Sequence, residues 1–330
     1  MSEKLLEIKN LHVMYRTDDD DIYALNGVNI SVEKGKTLGL VGETGAGKTT
    51  TALSIMRLLP DRVGAVKQGE IIFEGKNLLN VDNEEMRSIR GNDISMIFQD
   101  PMTSLNPIHT VGQQIGEVIK LHNIHLDNKD IELKIDEMME MVGIPADRKT
   151  EYPHQFSGGM KQRIVIAMAL ACNPKLLLAD EPTTALDVTI QAQVLQMMGD
   201  LKEKFNTSMI LITHDLGVVA QICDSVAIMY AGEVIEIGTI EDIFEADVHH
   251  PYTIGLFGSI PDMTKKTYRL NPIDGLMPDP AIVPPGCRFA DRCPKCMEVC
   301  EKISPENFIK NTHQIKCHLF TEKAKNATGN

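Results

Sequence analysis

Gly42-Glu43-Thr44-Gly45-Ala46-Gly47-Lys48-Thr49-Thr50 fits the spacing G-x-x-x-x-G-K-[ST] of a phosphate-cradling loop, and everything else in the chain is read outward from it. Glycines at 42, 45 and 47 let the backbone turn where a Cβ would clash, so that successive N–H groups, those of Glu43, Thr44 and Ala46 included, can face a polyphosphate. Lys48 adds a point charge for the β- and γ-phosphates of ATP. Thr49 supplies a hydroxyl for Mg²⁺, and Thr50 continues a helix expected over 49–59, whose positive N-terminal end meets the same anion. The flanks agree. Thr37 to Val41 reads as a short buried strand and Ala52 to Met56 as helix, which is the strand–loop–helix context the motif needs.

The chain has 330 residues, enough for one large α/β domain and a smaller appendage, and its 43% hydrophobic and 24% charged residues are ordinary for a globular protein. A formal net charge of −13 excludes a surface built to neutralise nucleic-acid phosphates. No run of about 18 apolar residues occurs and the first residues lack a signal-peptide core, so a cytosolic protein is expected, with any membrane attachment made through partners.

In chain order, Leu5 to Tyr15 reads as a strand, and Tyr15 at its end is an amphipathic aromatic that could stack on an adenine. The acidic run Asp18 to Asp21 reads as a solvated loop. Further strands are expected over 69–75 and over 94–100, the second ending in Gln99 and Asp100. From Val111 to Met141 apolar positions recur at helical spacing, which points to an inserted helical subdomain at about 100–170. Ser157 is placed to cap a helix running to about Ala171, with Gly158, Gly159 and Met160 in its first turn as a second anion site. Leu176 to Glu181 is an apolar strand ending in two carboxylates: Asp180 can hold Mg²⁺ through water and Glu181 can orient an attacking water. A strand over 209–213 delivers His214 to the same edge. Val226 to Gly238 reads as a hairpin turning at Ala231-Gly232, and His250-Pro251 starts a short helix.

Seven cysteines are unevenly spread. Cys172 and Cys223 lie in apolar helical surroundings and read as core residues. Cys287, Cys293, Cys296, Cys300 and Cys317 follow a segment with six prolines between Pro261 and Pro285. Five cysteines so close together admit three readings: a zinc site using Cys293 and Cys296 with His313 or His318 in reserve, an iron–sulfur cluster on four thiolates, or reduced thiols.

Together these residues resemble the ATP-binding subunits of ABC transporters. Gly42 to Thr49 is similar to their Walker A motif, Leu176 to Glu181 to Walker B, Ser157 to Gln162 to the signature sequence and Ala185-Leu186-Asp187 to the D-loop, while Gln99 and His214 match the Q-loop glutamine and switch histidine. Phe156 and Met160 depart from the commonest signature, in the manner of the peptide-importing branch. Pro284-Pro285-Gly286-Cys287-Arg288-Phe289 and Arg292-Cys293 resemble the C-terminal extension of dipeptide and oligopeptide importer subunits, which nickel importers partly share.

The resemblance implies a P-loop NTPase core of ABC-ATPase type with an antiparallel β subdomain, the helical subdomain, and a Cys-rich extension. Residues 1–258 would form the cassette and 259–330 the extension. It implies ATP hydrolysis with Glu181 and His214 catalytic, Mg²⁺ held by Thr49, Gln99 and Asp180, and Ser157 to Met160 with Asp187 serving the ATP of a partner subunit. That partner would be a second, non-identical ATPase, joined to two transmembrane permeases at the cytoplasmic face of the membrane and indirectly to an extracytoplasmic peptide-binding protein. For the cysteines it implies a [4Fe–4S] cluster on Cys287, Cys293, Cys300 and Cys317, with Cys296 as an extra ligand and Zn²⁺ as the alternative. A nickel importer and a soluble ABC-type ATPase outside transport are the rival functions.

Overall fold

The computed structural model describes residues 3–18, 20–184, 186–259 and 273–321, with backbone only at 101 and 102. Asp19 of the acidic run, Ala185 of the D-loop, and Pro261 and Pro272 of the proline-rich segment lie outside the described residues. Two compact units result, one made of Met1–Glu7, Ser31–Gly39 and Ile71–Cys223, the other of Ile8–Ile30, Leu40–Glu70 and Asp224–Asn330.

The N-terminal elements are β1 (Lys4–Arg16), β2 (Asp21–Glu33), β3 (Thr37–Val41), α1 (Lys48–Ile55) and β4 (Gly64–Phe73), and the division into units cuts through all four strands. β2, β1 and β4 form a four-stranded sheet with β5 (Lys76–Asn77), in the order β2-β1-β4-β5. β1 and β2 each bury alternate stretches of Leu, Ile and Val, as expected of strands with one covered face.

The first unit continues with α2 (Asn83–Ile89), β6 (Ile94–Ile97), α3 (Pro101–Ser104), α4 (Val111–His122), α5 (Asn128–Met141), α6 (Gly158–Leu170), β7 (Leu176–Asp180), α7 (Val188–Phe205), β8 (Ser208–Ile212) and α8 (Leu216–Ile222). β6, β7 and β8 are neighbours and pair in parallel, with Ile97 opposite Ala179 and Asp180 opposite Ile212. Every residue of β7 and of β8 is buried, which is why both read as unbroken apolar runs rather than alternating ones. The helical periodicity resolves into two helices: Ile115 and Ile119 of α4, and Ile131, Ile135 and Met138 of α5, are buried one turn apart. A capping box at Thr110 and Gln113 starts α4, and the Asp127 carboxylate caps α5.

In the second unit, β9 (Ser225–Tyr230) and β10 (Glu233–Thr239) form the expected hairpin about Ala231-Gly232. α9 (Ile240–Phe244), α10 (Pro251–Gly258), α11 (Glu298–Lys302), β11 (Asn307–Lys310) and β12 (His313–Lys316) follow. β12 pairs antiparallel with β10 on one side and with β11 on the other, so the C-terminal hairpin extends the sheet edge that β10 would otherwise leave open. Of the two cysteines expected in the core, Cys223 is buried, whereas Cys172 is half-buried, its sulfur accepting from Asn123 Nδ2 at 3.8 Å.

Candidate nucleotide site

β3 is buried along its whole length and ends at the phosphate loop. A Cβ at Gly42 would lie 2.3 Å from the Met229 carbonyl oxygen, so only glycine lets the chain leave the strand there. Gly47 is the N-cap of α1 at φ 100, and a Cβ on it would meet Leu25 Cδ2 at 2.7 Å and Ala24 O at 2.8 Å. No side chain caps α1, so its leading N–H groups stay available to an anion. Lys48 is buried, with its ammonium donating to the carbonyls of Gly42 (2.7 Å) and Glu43 (2.9 Å), folded over the loop it serves. Thr44, Gly45 and Thr49 are exposed, Ala46 is buried, and Tyr15 lies beside the loop with its hydroxyl donating to Thr50 Oγ1 at 3.3 Å. Glu43 differs from its neighbours, because its carboxylate is held by the guanidinium of Arg292, a residue to which the sequence alone assigns no role.

In the other unit Glu181 gathers three side chains. Its Oε2 accepts from Gln99 Nε2 (3.2 Å) and Thr184 Oγ1 (3.0 Å), and its Oε1 lies 3.2 Å from His214 Nδ1. Burial alone would raise this carboxyl's pKa, but hydrogen bonds from His214, Thr184 and Gln99 outweigh it and hold it below the ordinary carboxylate range. Glu181 has φ 46, a left-handed backbone that a non-glycine residue adopts at a cost, and its N–H donates to Ile212 O on the neighbouring strand. The turn aims the carboxylate off the end of β7, while Asp180 remains buried on the strand itself.

Ser157 caps α6 as expected, accepting from Met160 N–H at 3.4 Å, and Gly158 and Gly159 follow without side chains. Arg148 lies over the Phe156 ring at 4.4 Å and pairs with Glu151, which fixes the approach to this helix. Asp187 caps α7, one carboxylate oxygen accepting from Ile190 N–H at 3.0 Å. Each unit by itself carries oxygen donors of the kind a hard cation such as Mg²⁺ takes: in one the carboxylate of Asp180 and the amide oxygen of Gln99, whose nitrogen is given to Glu181, and in the other the hydroxyl of Thr49.

A family model described as ABC transporter matches residues 25–184, and one described as the oligopeptide/dipeptide transporter C-terminal region matches residues 235–300. The dipeptide transport ATP-binding protein DppD of Bacillus subtilis (strain 168) is 51% identical over 328 residues, covering 98% of this chain and 97% of that protein. The chain belongs to the ABC-transporter family of ATP-binding subunits. As an ABC ATPase it uses ATP with Mg²⁺. Two further relatives from the same organism are the oligopeptide transport ATP-binding proteins AppD, 48% identical over 97% of this chain and 98% of its own length, and OppD, 49% identical over 96% and 89%. The fold of this ABC ATPase is that of the cassette: a structure described as the dimeric, post-hydrolysis state of the ATP-binding cassette MJ0796 bound to ADP and Pi matches 71% of the chain at 27% identity, with a TM-score of 0.64.

The expected iron–sulfur cluster is corrected by the same relatives. They are described as ATP-binding transport proteins and nothing more, so the cluster, expected from the closeness of the thiols and chosen on the resemblance, has no support in them. Cys287, Cys293, Cys300 and Cys317 do come within electrostatic reach of one another, and the Cys287 N–H donates to Cys300 O. Burial and the neighbouring sulfurs push Cys287 up to about 12 and Cys317 up to about 11. Cys296 is exposed at the margin. Zinc on Cys293 and Cys296 has no support either. Among the described residues, the group of metal-capable side chains whose ligand atoms gather within 4.8 Å is Glu236, His249 and His313.

That trio has no local sequence signature, because its members lie on β10, in the stretch between α9 and α10, and on β12. It is a closed hydrogen-bonded network: Glu236 Oε1 meets His249 Nδ1 (2.8 Å) and His313 Nε2 (2.7 Å), and Oε2 accepts from Thr253 Oγ1 (2.5 Å) and His250 N–H (2.8 Å).

Proposed function

We propose that this ABC ATPase is the ATP-hydrolysing subunit of a di- or oligopeptide importer. The names of its relatives and the description of the matched C-terminal region support peptide rather than nickel, and transport rather than a soluble function. Among the described residues no helix is long and apolar enough to cross a membrane, so the route for the peptide belongs to two permease subunits. This chain sits peripherally on their cytoplasmic face, and an extracytoplasmic binding protein delivers peptide from the other side. Residues 1–258 act as the cassette and 259–330 as its extension.

The single observation carrying the chemistry is Glu181, a carboxylate held ionised by three donors at the end of a buried strand. Residues 42–50 bind the triphosphate through their N–H groups. Lys48 exchanges the carbonyls of Gly42 and Glu43 for the β- and γ-phosphates, and Tyr15 stacks on the adenine. Glu181 accepts a hydrogen bond from water and turns its lone pair toward the γ-phosphorus; the new O–P bond forms as the bond to ADP breaks, and the water's proton passes to the Glu181 carboxylate, which releases it with the products. His214, already against Glu181, holds the γ-phosphate, and Gln99 relays the state of the site toward the permeases. Thr49, Gln99 and Asp180 would hold Mg²⁺, which would supply charge neutralisation for the phosphates. The first turn of α6, at Ser157 to Met160, faces the ATP of a second, non-identical ATPase subunit, and Asp187 supports that contact. The dimer described for the related MJ0796 cassette supports such pairing.

Glu181→Gln in the assembled transporter should retain ATP while phosphate release falls roughly a hundredfold or more, the scale of a lost general base or water-orienting group. Phosphate release at the normal rate by this variant would remove Glu181 from the role.

A further inference from the structure

Glu43, the second residue of the phosphate loop, is held by three of its groups. Its carboxylate takes two parallel hydrogen bonds from Arg292, Nη1 to Oε2 at 2.9 Å and Nη2 to Oε1 at 3.2 Å. Its N–H donates to the Tyr252 hydroxyl at 3.0 Å, and its carbonyl accepts from Lys48 Nζ at 2.9 Å and from Ala46 N–H at 3.1 Å. Arg292 comes from the Cys-bearing C-terminal segment, 249 positions along the chain, and its side chain is only 7% exposed.

The guanidinium is itself fixed on every side. Nε donates to Asp274 O (2.9 Å), Nη1 to the Tyr230 hydroxyl (3.3 Å) and Nη2 to Ile273 O (3.4 Å). Beneath it Tyr230, Tyr252 and Phe289 are fully buried and pack ring to ring at centroid distances of 4.7, 5.1 and 5.4 Å. One of these rings comes from β9, one from α10 and one from the C-terminal segment. An acidic side chain at a loop tip is ordinarily solvated and mobile; here it is clamped by a planar fork that only arginine offers.

We infer that Arg292 is a positioning residue for the phosphate loop, through which the C-terminal segment sets the loop's affinity for ATP. The connection is short. Arg292 and Tyr252 fix Glu43, and the Glu43 carbonyl is one of the two that hold the Lys48 ammonium and also anchors the Ala46 N–H. Releasing the fork lets Glu43 move, and with it the carbonyl and the N–H groups that follow. ATP must then order the loop as it binds, which weakens ground-state binding and leaves the chemistry at Glu181 intact. A pair that merely docked the C-terminal segment would change stability alone.

The inference rests on reading Gly42 to Thr50 as the ATP phosphate cradle, and the test separates the two. In the assembled transporter, wild type, Arg292→Lys, Glu43→Gln and the double variant are compared for MgATP KM, kcat at saturation, and melting temperature. Each single change should raise KM on the order of tenfold with kcat little altered, because lysine cannot make the two-pronged contact and glutamine lacks the charge. The double variant should match either single one, since both remove the same contact. Unchanged KM with a lowered melting temperature, or two effects that simply add, would overturn it. Should Arg292→Lys fail to assemble, Glu43→Gln decides alone, as it keeps the shape of the side chain. Wild-type protein that fails to bind ATP would instead overturn the reading of the loop.

Discussion

At Glu181 the backbone and the side chain are pulled in different directions, and both are needed. The left-handed φ of 46 carries a conformational cost, which the N–H bond to Ile212 O and the three side-chain donors offset. The carboxyl is held below the ordinary carboxylate range, so its ionised form persists as pH falls and is lost only when pH drops through that lowered value. Thr184→Val removes one donor without touching Gln99 or His214. The pKa should rise, and the acid limb of the ATPase rate–pH profile should move to higher pH while the neutral rate changes less. An acid limb that stays in place would mean that Thr184 does not tune the carboxylate. Nothing in the sequence marked Thr184, because a threonine after Glu-Pro-Thr is unremarkable until the turn at Glu181 brings its hydroxyl back to the carboxylate.

At the scale of the element, α10 carries a titratable cap. His250 is fully buried, and its Nδ1 accepts from the Tyr252 N–H at 3.0 Å, a bond that requires an unprotonated nitrogen. Burial lowers its pKa to about 4, against which the nearby Glu236 charge acts only partly. A histidine with a lowered folded value favours the folded state at pH above about 6.5, and this contribution drains away as pH falls from there toward about 4. A shift of that size corresponds to about 3 kcal/mol. The adjacent His249 works in reverse: its hydrogen bond to Glu236 outweighs burial and raises its pKa, so it adds stability below the ordinary histidine value and loses it as pH rises through the raised one. His250→Asn keeps an acceptor at the cap without a titration, so its melting temperature should fall less than that of wild type between pH 6.5 and 4. Parallel curves for the two proteins would show that the cap does not titrate in this window.

At the scale of the whole molecule, the signature helix and the phosphate loop of the proposed mechanism meet across two subunits, and partnership is therefore conditional on nucleotide. By light scattering, this chain alone should be monomeric without nucleotide and poorly active. Glu181→Gln with ATP should favour a closed pair when the second ATPase subunit is supplied. A stable homodimer of this chain with full, transport-coupled activity would count against a non-identical partner.

The sequence by itself determined the nucleotide chemistry, because that chemistry depends on spacing that is local. A glycine turn followed by Lys48 and Thr49, a capped helix start at Ser157 and an apolar strand ending in Asp180-Glu181 are each readable within a dozen residues, and the family followed from their conjunction. The buried run of β7 and the hairpin at Ala231-Gly232 were legible for the same reason. Local spacing also misled at the cysteines, where closeness in sequence suggested a metal for which the relatives give no support. Only the tertiary structure decided what holds these pieces. Arg292 reaches Glu43 across 249 positions, and Glu236 joins His249 and His313 from separate elements. Neither contact has any periodic or spacing signature, since both depend on which side chains burial leaves in need of an opposite charge.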